Sequence, residues 1–220
     1  MRIKFVLIIF AILSILYIPV FAQTTEYLEN GLSLYSQGKY DEAIQAFDEA
    51  IESNPQSTTA WNGKGLALMG QAKYDEAIQA FDDAIESNPY DAFAWYYKGV
   101  ALMGQDKYDE AIKAFDKSIE LNPQDAGAWS IKGNALYYQG KYDEAIQAFN
   151  KAIDINPQYA AAWNGKASAL ISQCKCDEAT KAYDNATELD PNNILAQNNK
   201  NLSLVMCNVY CNPSHNSKYL

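Results

Sequence analysis

Four cysteines, five copies of an Asp-Glu pair and a single histidine are the residues of this 220-residue chain that could do chemistry. Cys174 and Cys176 stand two apart, and Cys207 and Cys211 stand four apart, which is one face of a helix if that segment is helical. Such a set can form disulfides, hold a metal through four thiolates, or remain as free thiols. A Cys-x-Cys pair is not a familiar zinc spacing, so structural disulfides in an oxidising compartment are the favoured reading. The Asp-Glu pairs (Asp41-Glu42, Asp75-Glu76, Asp109-Glu110, Asp143-Glu144, Asp177-Glu178) are candidate acid/base partners only at first sight. Catalysis needs one site with perturbed carboxylates, whereas identical solvated copies at helix starts compensate helix dipoles. His215 lies in the last ten residues, and no Gly-rich phosphate loop or His-rich metal motif occurs. The residues point away from an enzyme and imply no cofactor and no metal.

The elements that position these residues follow from a period of 34. Tyr40, Tyr74, Tyr108, Tyr142 and Cys176 share one column, and Pro55, Pro89, Pro123, Pro157 and Pro191 share another. A short fixed period predicts a solenoid in which each unit packs only on its neighbours. The units run 24–57, 58–91, 92–125, 126–159 and 160–193. In each, apolar and small residues at helical spacing give one helix, a short turn follows, and a second helix ends at Asn-Pro or Asp-Pro. The period also bears on the cysteines. Cys174 precedes Cys207 by 33 residues and Cys176 precedes Cys211 by 35. Stacking by one unit therefore favours Cys174–Cys207 with Cys176–Cys211, among three connectivities.

A Trp column (Tyr27, Trp61, Trp95, Trp129, Trp163), a Gly column (Gly31, Gly65, Gly99, Gly133, Ala167) and an Ala-x3-aromatic pair (Ala43/Phe47 through Ala179/Tyr183) complete the pattern. Together these columns resemble the tetratricopeptide repeat family over about four fifths of the chain. The resemblance implies an all-α fold, a right-handed superhelical solenoid of five helix-turn-helix units. One departure recurs: the family's Leu before the Gly is Lys64, Lys98, Lys132 and Lys166, with Asn30 in the first unit. A Lys there buries its stem and sends its ammonium toward the Asp-Glu pairs.

Beyond Pro191 the apolar residues Leu195, Leu202, Leu204, Val205 and Val209 predict one more helix, 194–210. Its amides (Gln197, Asn198, Asn199, Asn201) are expected on a polar outer side, as a capping helix needs. Residues 211–220 have no period and are read as a mobile tail. The solenoid with its cap is thus expected over 23–210. At the other end, Arg2 and Lys4 precede an apolar run closing on Val20-Phe21-Ala22. This is the layout of a signal peptide, 1–22, with an uncleaved N-terminal membrane anchor as its rival. Either way the repeats are expected outside the cytoplasm, as an exported, secreted or membrane-anchored protein.

The chain carries 17 basic and 27 acidic residues, and without Arg2 and Lys4 its net charge is about −12. That argues against nucleic acid and anionic lipid as partners, and keeps a repeat protein soluble and monomeric. Two glycosylation sequons, at Asn185 and Asn201, fall in expected helices and weigh little.

In the family, the first helices of the units line a concave groove. The resemblance places there Asn62, Leu66 and Met69; Phe93, Tyr96, Tyr97, Val100 and Met103; Ser130, Asn134, Tyr137 and Tyr138; and Asn164, Ser168 and Ile171. No Lys or Arg occupies these columns, so the family's cationic carboxylate clamp does not carry over. An aromatic, Met-containing stripe with amides suits an extended peptide or an amphipathic helix. Because Tyr96 and Tyr97 are adjacent on one helix, at least one is expected to face the groove. The expected function is an exported scaffold that binds protein segments. The alternatives are a self-associating or spacer module and, third, a cysteine-based metal or redox protein.

Overall fold

The computed structural model describes residues 23–192 and 194–211. The expected signal peptide or anchor, 1–22, and residues 212–220 with His215 lie outside the described residues. Every regular element among the described residues is a helix, and none is long and apolar enough to cross a membrane. The chain divides into two compact units. The first, ending at Gln105, holds α1 (23–36), α2 (Tyr40–Ser53), α3 (Thr58–Gly70), α4 (Tyr74–Ser87) and α5 (Ala92–Met103). The second, from Asp106, holds α6 (Tyr108–Leu121), α7 (Ala126–Tyr138), α8 (Tyr142–Ile155), α9 (Ala160–Ser172), α10 (Cys176–Leu189) and α11 (Ile194–Met206). A π-helical turn, Cys207–Cys211, follows α11. Helix, turn and helix recur at the expected register in both units.

Local chemistry explains each boundary. Asp91 caps α5 by accepting from the Phe93 amide at 3.0 Å, and Asp125 caps α7 through Gly127 and Ala128. The Asp-Glu pairs sit in the first turn of α2, α4, α6, α8 and α10, where the dipole favours them. Asn54, Asn88 and Asn156 end helices in extended backbone, and their side chains accept an amide two residues on. The Trp column then ties the turn down. Trp61, Trp95, Trp129 and Trp163 donate Nε1–H to the carbonyls of Pro55, Pro89, Pro123 and Pro157 at 3.0–3.1 Å. Gln197 takes the same role at Pro191.

The core is a ladder of aromatic rings entering glycine notches. In the second unit Phe149 is fully buried among Ala145, Ala152 and Ala162. A Cβ on Gly133 or Gly165 would stand 2.7 or 2.5 Å from its ring, so only glycine lets α7 and α9 close on it. In the last repeat both partners change: Ala167 replaces the glycine and Tyr183 the phenylalanine, and the Tyr183 hydroxyl bonds Ser168 Oγ at 3.0 Å.

The recurrent lysines do not reach the Asp-Glu pairs as expected. They turn to an acid near the middle of the preceding second helix: Lys64 to Asp48 at 2.7 Å, Lys98 to Asp82 at 2.5 Å, Lys132 to Asp116 at 2.6 Å and Lys200 to Asp184 at 2.5 Å. Lys64, Lys98, Lys132 and Lys166 also lie over their Trp rings at 5.3–5.5 Å. The acid column breaks once, where Asn150 stands opposite Lys166. We expect Asn150→Asp to complete the row and raise stability by about 0.5 kcal/mol, the scale of a half-exposed pair. A small upward shift of the thermal midpoint checks this, and an unchanged or lower midpoint contradicts the alignment.

The end of the chain departs from expectation in two ways. First, the amides Gln197, Asn198 and Asn201 are exposed as expected, but α11 also turns apolar side chains outward. Leu202, Val205 and Met206 are 59%, 56% and 38% exposed and Val209, in the turn that follows, is 44% exposed, while the half-buried Asn199 donates to the side-chain oxygen of Asn164. Second, the disulfides are Cys174–Cys211 and Cys176–Cys207. The period arithmetic treated the cap as a parallel copy of the preceding unit. The contact is instead between α11 and the start of α10, which run in opposite directions, so the later cysteine of one element meets the earlier cysteine of the other. The backbone at Cys174 is left-handed (φ 56°), like that at its column-mates Gly38, Ala72, Asp106 and Gly140. Cys211 therefore belongs to the helical end rather than to a tail. With separations of 37 and 31 residues, either bridge alone would be worth about 3–4 kcal/mol by loop closure.

Candidate functional site

The expected binding face divides between the two units. In the first unit, α3 packs beside α5. Asn62 is buried and donates from Nδ2 to Asp91 at 2.7 Å, so it braces the start of α5. Leu66, Met69 and Tyr97 pack against the cluster around Phe81, and Tyr97 stacks on Phe81 at 6.1 Å between centroids. Phe93 is the exposed ring, 42% accessible, with Tyr97 beneath it at 4.4 Å and Tyr96 edge-on to Tyr97 at 4.9 Å. Tyr96, Val100 and Met103 are half-buried. Neither of the adjacent tyrosines is fully exposed: Tyr97 props the surface from the core side, and Phe93 presents it.

In the second unit, α7, α9 and α11 lie side by side. Tyr138 is 61% exposed and stacks on Tyr108 at 5.6 Å. Tyr137 is half-buried, edge-on to Tyr138 and tilted against Tyr142. Asn134 and Asn164 are half-buried, and Ser130 is buried. A cavity of about 150 Å³ opens where Tyr137, Ile171, Tyr183, Leu202 and Met206 meet. Sequence reasoning missed Leu202, Val205 and Met206 because α11 was taken as an inert cap. Their register was the available signal: they stand 34 residues after Ser168, Ile171 and Ser172, in the groove columns.

The electrostatics of this face are neutral: no side chain lining the cavity is ionised at neutral pH. Burial raises the Tyr183 phenol above the ordinary tyrosine value of 10.0, partly offset by its bond to Ser168. The folded state therefore holds this proton more tightly than the unfolded chain does. Stability supplied by the neutral phenol is present below pH 10 and is lost as pH rises through the folded value. We expect the denaturation midpoint to fall above about pH 10, and Tyr183→Phe to flatten that fall. An identical alkaline slope in the variant would contradict the assignment.

The other chemistry-bearing residues serve structure. Asp41, Asp75, Asp109 and Asp143 accept from Gln71, Gln105, Gln139 and Gln173 Nε2 at 2.7–2.8 Å, linking each first-helix end to the preceding second helix. All four cysteines are in disulfides. Among the described residues, no group of three His, Cys, Asp or Glu side chains comes together to hold a metal ion.

Tetratricopeptide repeat profiles match residues 28–92, 64–126 and 126–159. No curated protein matches the sequence. Solved structures similar to the chain include the MamA protein, at 27% identity and a TM-score of 0.68, covering 77% of this chain and 92% of that one. YrrB, described as a tetratricopeptide repeat protein with an unusual peptide-binding site, is 24% identical with a TM-score of 0.66, covering 80% and 90%. MamA from Desulfovibrio magneticus RS-1 is 20% identical with a TM-score of 0.70, covering 78% and 97%. The last two show likeness of fold alone.

Proposed function

Because the chain belongs to the tetratricopeptide repeat family, we propose that it is an exported scaffold that holds segments of partner proteins on the faces of its first helices. The observation that carries this reading is the exposure of the Phe93 and Tyr138 rings on first helices whose groove columns hold no Lys or Arg. Rings that are half accessible and propped from below by other rings make rigid contact surfaces with little side-chain entropy to lose. Tyrosine hydroxyls and the amides of Asn134 and Asn164 are available to satisfy a peptide backbone without charge. YrrB is a fold neighbour with a peptide-binding site. The peptide reading here rests on this chain's own residues. Export rests on the basic start, apolar run and Val20-Phe21-Ala22 of the N-terminal segment.

Panning a peptide library on the protein tests the binding reading. Enriched peptides should be rich in apolar residues and poor in charge, and Phe93→Ala or Tyr138→Ala should lose them. Enrichment of strongly charged peptides, or none, contradicts it. The amino-terminal sequence of the protein from its own cells tests export, which predicts a start at Gln23 or an intact segment in the membrane fraction.

A second reading, self-association, is favoured by one observation, the exposed apolar side chains Leu202 and Val205 on α11 and Val209 in the turn after it. Concentration-dependent sedimentation would support it over the first.

A further inference from the structure

The last helix is placed unlike the others. It presents four apolar side chains to solvent, it completes the cavity of about 150 Å³, and two disulfides fasten its far end. Of its described side chains, Ala196 and Ser203 are buried. Its polar ties among the described residues include Lys200 to Asp184, Asn199 to Asn164 at 3.4 Å and Gln197 to the Pro191 carbonyl. A helix of 13 residues is marginal by itself, so its place depends on what ties it to its neighbours.

We propose that α11 is a disulfide-held wall of a binding subsite that seats an uncharged, apolar side chain of a partner peptide, and that reducing the disulfides dismantles the subsite. This rests on the peptide-binding reading above and deepens it. The volume fits the occupant: about 150 Å³ takes a group the size of benzene, the scale of a Leu or Phe side chain. The lining fits its chemistry. Ile171, Leu202 and Met206 supply apolar contact, and the rest of the lining (Tyr137, Tyr183, Asn199 and three serines) is uncharged, so an ionised side chain would be desolvated there without a counter-charge. The exposed stripe Leu202, Val205, Met206 and Val209 continues from the cavity along α11 into the turn after it and gives the flanking part of such a segment an apolar track.

The redox step balances with a dithiol reductant. Each disulfide takes up two electrons and two protons to become two thiols, and each dithiol is oxidised to its own disulfide. Two dithiols therefore open Cys174–Cys211 and Cys176–Cys207. The bridges join the π-helical turn after α11 to the α9–α10 turn at Cys174 and to the first residue of α10, Cys176, so reduction releases the wall while the α7–α8 hairpin keeps its own packing.

The test uses the full chain with both disulfides closed, the same protein after dithiothreitol, and the variant with all four cysteines replaced by serine. Amide hydrogen exchange reports the wall, and a capped, uncharged peptide with one photo-leucine, mapped after irradiation by mass spectrometry, reports the subsite. We expect exchange over 194–211 to rise at least tenfold on reduction and in the variant, with α7 and α8 unchanged. Labelling of the α7, α9 and α11 cavity residues should fall at least tenfold in parallel. It should be competed by a Leu-centred peptide but not by its Asp counterpart. Unchanged exchange in α11 overturns the disulfide-held wall whatever the peptide does. Lost protection with undiminished labelling overturns the dependence of the subsite on α11. Absence of labelling in the oxidised protein, or a disulfide-dependent dimer that buries the stripe, overturns the peptide subsite. Recovery of partners through Phe93 in the first unit is a separate result, so failure here is distinguishable from failure of the scaffold reading.

Discussion

Replacing Phe149 with alanine is expected to lower the stability of the C-terminal unit by about 4 kcal/mol, the middle of the range for a buried phenylalanine. The ring is fully buried, lies within a cluster of alanines on α8 and α9, and fills the notch between Gly133 and Gly165. Two helices close on it without side chains of their own, so no neighbour is placed to fill the vacated space. Chemical denaturation followed by helical circular dichroism measures the loss. The notch supplies a sharper check. Gly165→Ala should be strongly destabilising in the wild-type chain, because its Cβ meets the ring at 2.5 Å. In the Phe149→Ala background it should cost far less. Additive effects would show that ring and glycine do not form one unit of packing.

The second large effect concerns binding. Tyr138→Ala is expected to weaken the partner by about 30-fold or more, the scale of a hot-spot aromatic, with helical content and thermal midpoint nearly unchanged. Tyr138 qualifies because it is 61% exposed and already held against Tyr108, so it is presented at little entropic cost. Tyr97→Ala is the informative contrast. That ring underlies Phe93 and stacks on Phe81, so its loss should lower stability as well as affinity. Calorimetric titration with the recovered partner segment separates the two. An unchanged affinity in Tyr138→Ala would remove the second unit's face from the binding surface.

The helix boundaries were legible in the sequence because several independent local signals agree at each of them. Pro in one column ends a helix, Asp-Glu in another starts one, and the Tyr and Gly columns keep register, each repeated in unit after unit. What escaped notice depends on contacts across helices. The Trp column was readable as packing, but its hydrogen bond to the Pro carbonyl six residues earlier exists only once the turn is folded. The lysines were rightly seen to bury their stems, yet the acid they meet lies 16 residues away on a neighbouring helix, farther in sequence than the Asp-Glu pair first suspected. Adjacent positions such as Tyr96 and Tyr97 share a periodicity, which cannot decide which ring supports and which is presented. The cysteine pairing failed for a topological reason: translation by one repeat preserves order, and antiparallel contact reverses it. The outward apolar side of α11 was hidden by the expectation that a terminal helix must be polar there, although its register with Ser168 and Ile171 pointed to the groove face.

The most direct measurement is a crosslinked pull-down from native membranes and extracellular medium, with the wild-type repeat protein beside a Phe93→Ala/Tyr138→Ala variant whose circular dichroism is intact. The scaffold account predicts a protein recovered by the wild type and lost with the variant, crosslinked through residues of α5 or α7. Equal recovery by both proteins, or recovery of nothing but the bait, would contradict it.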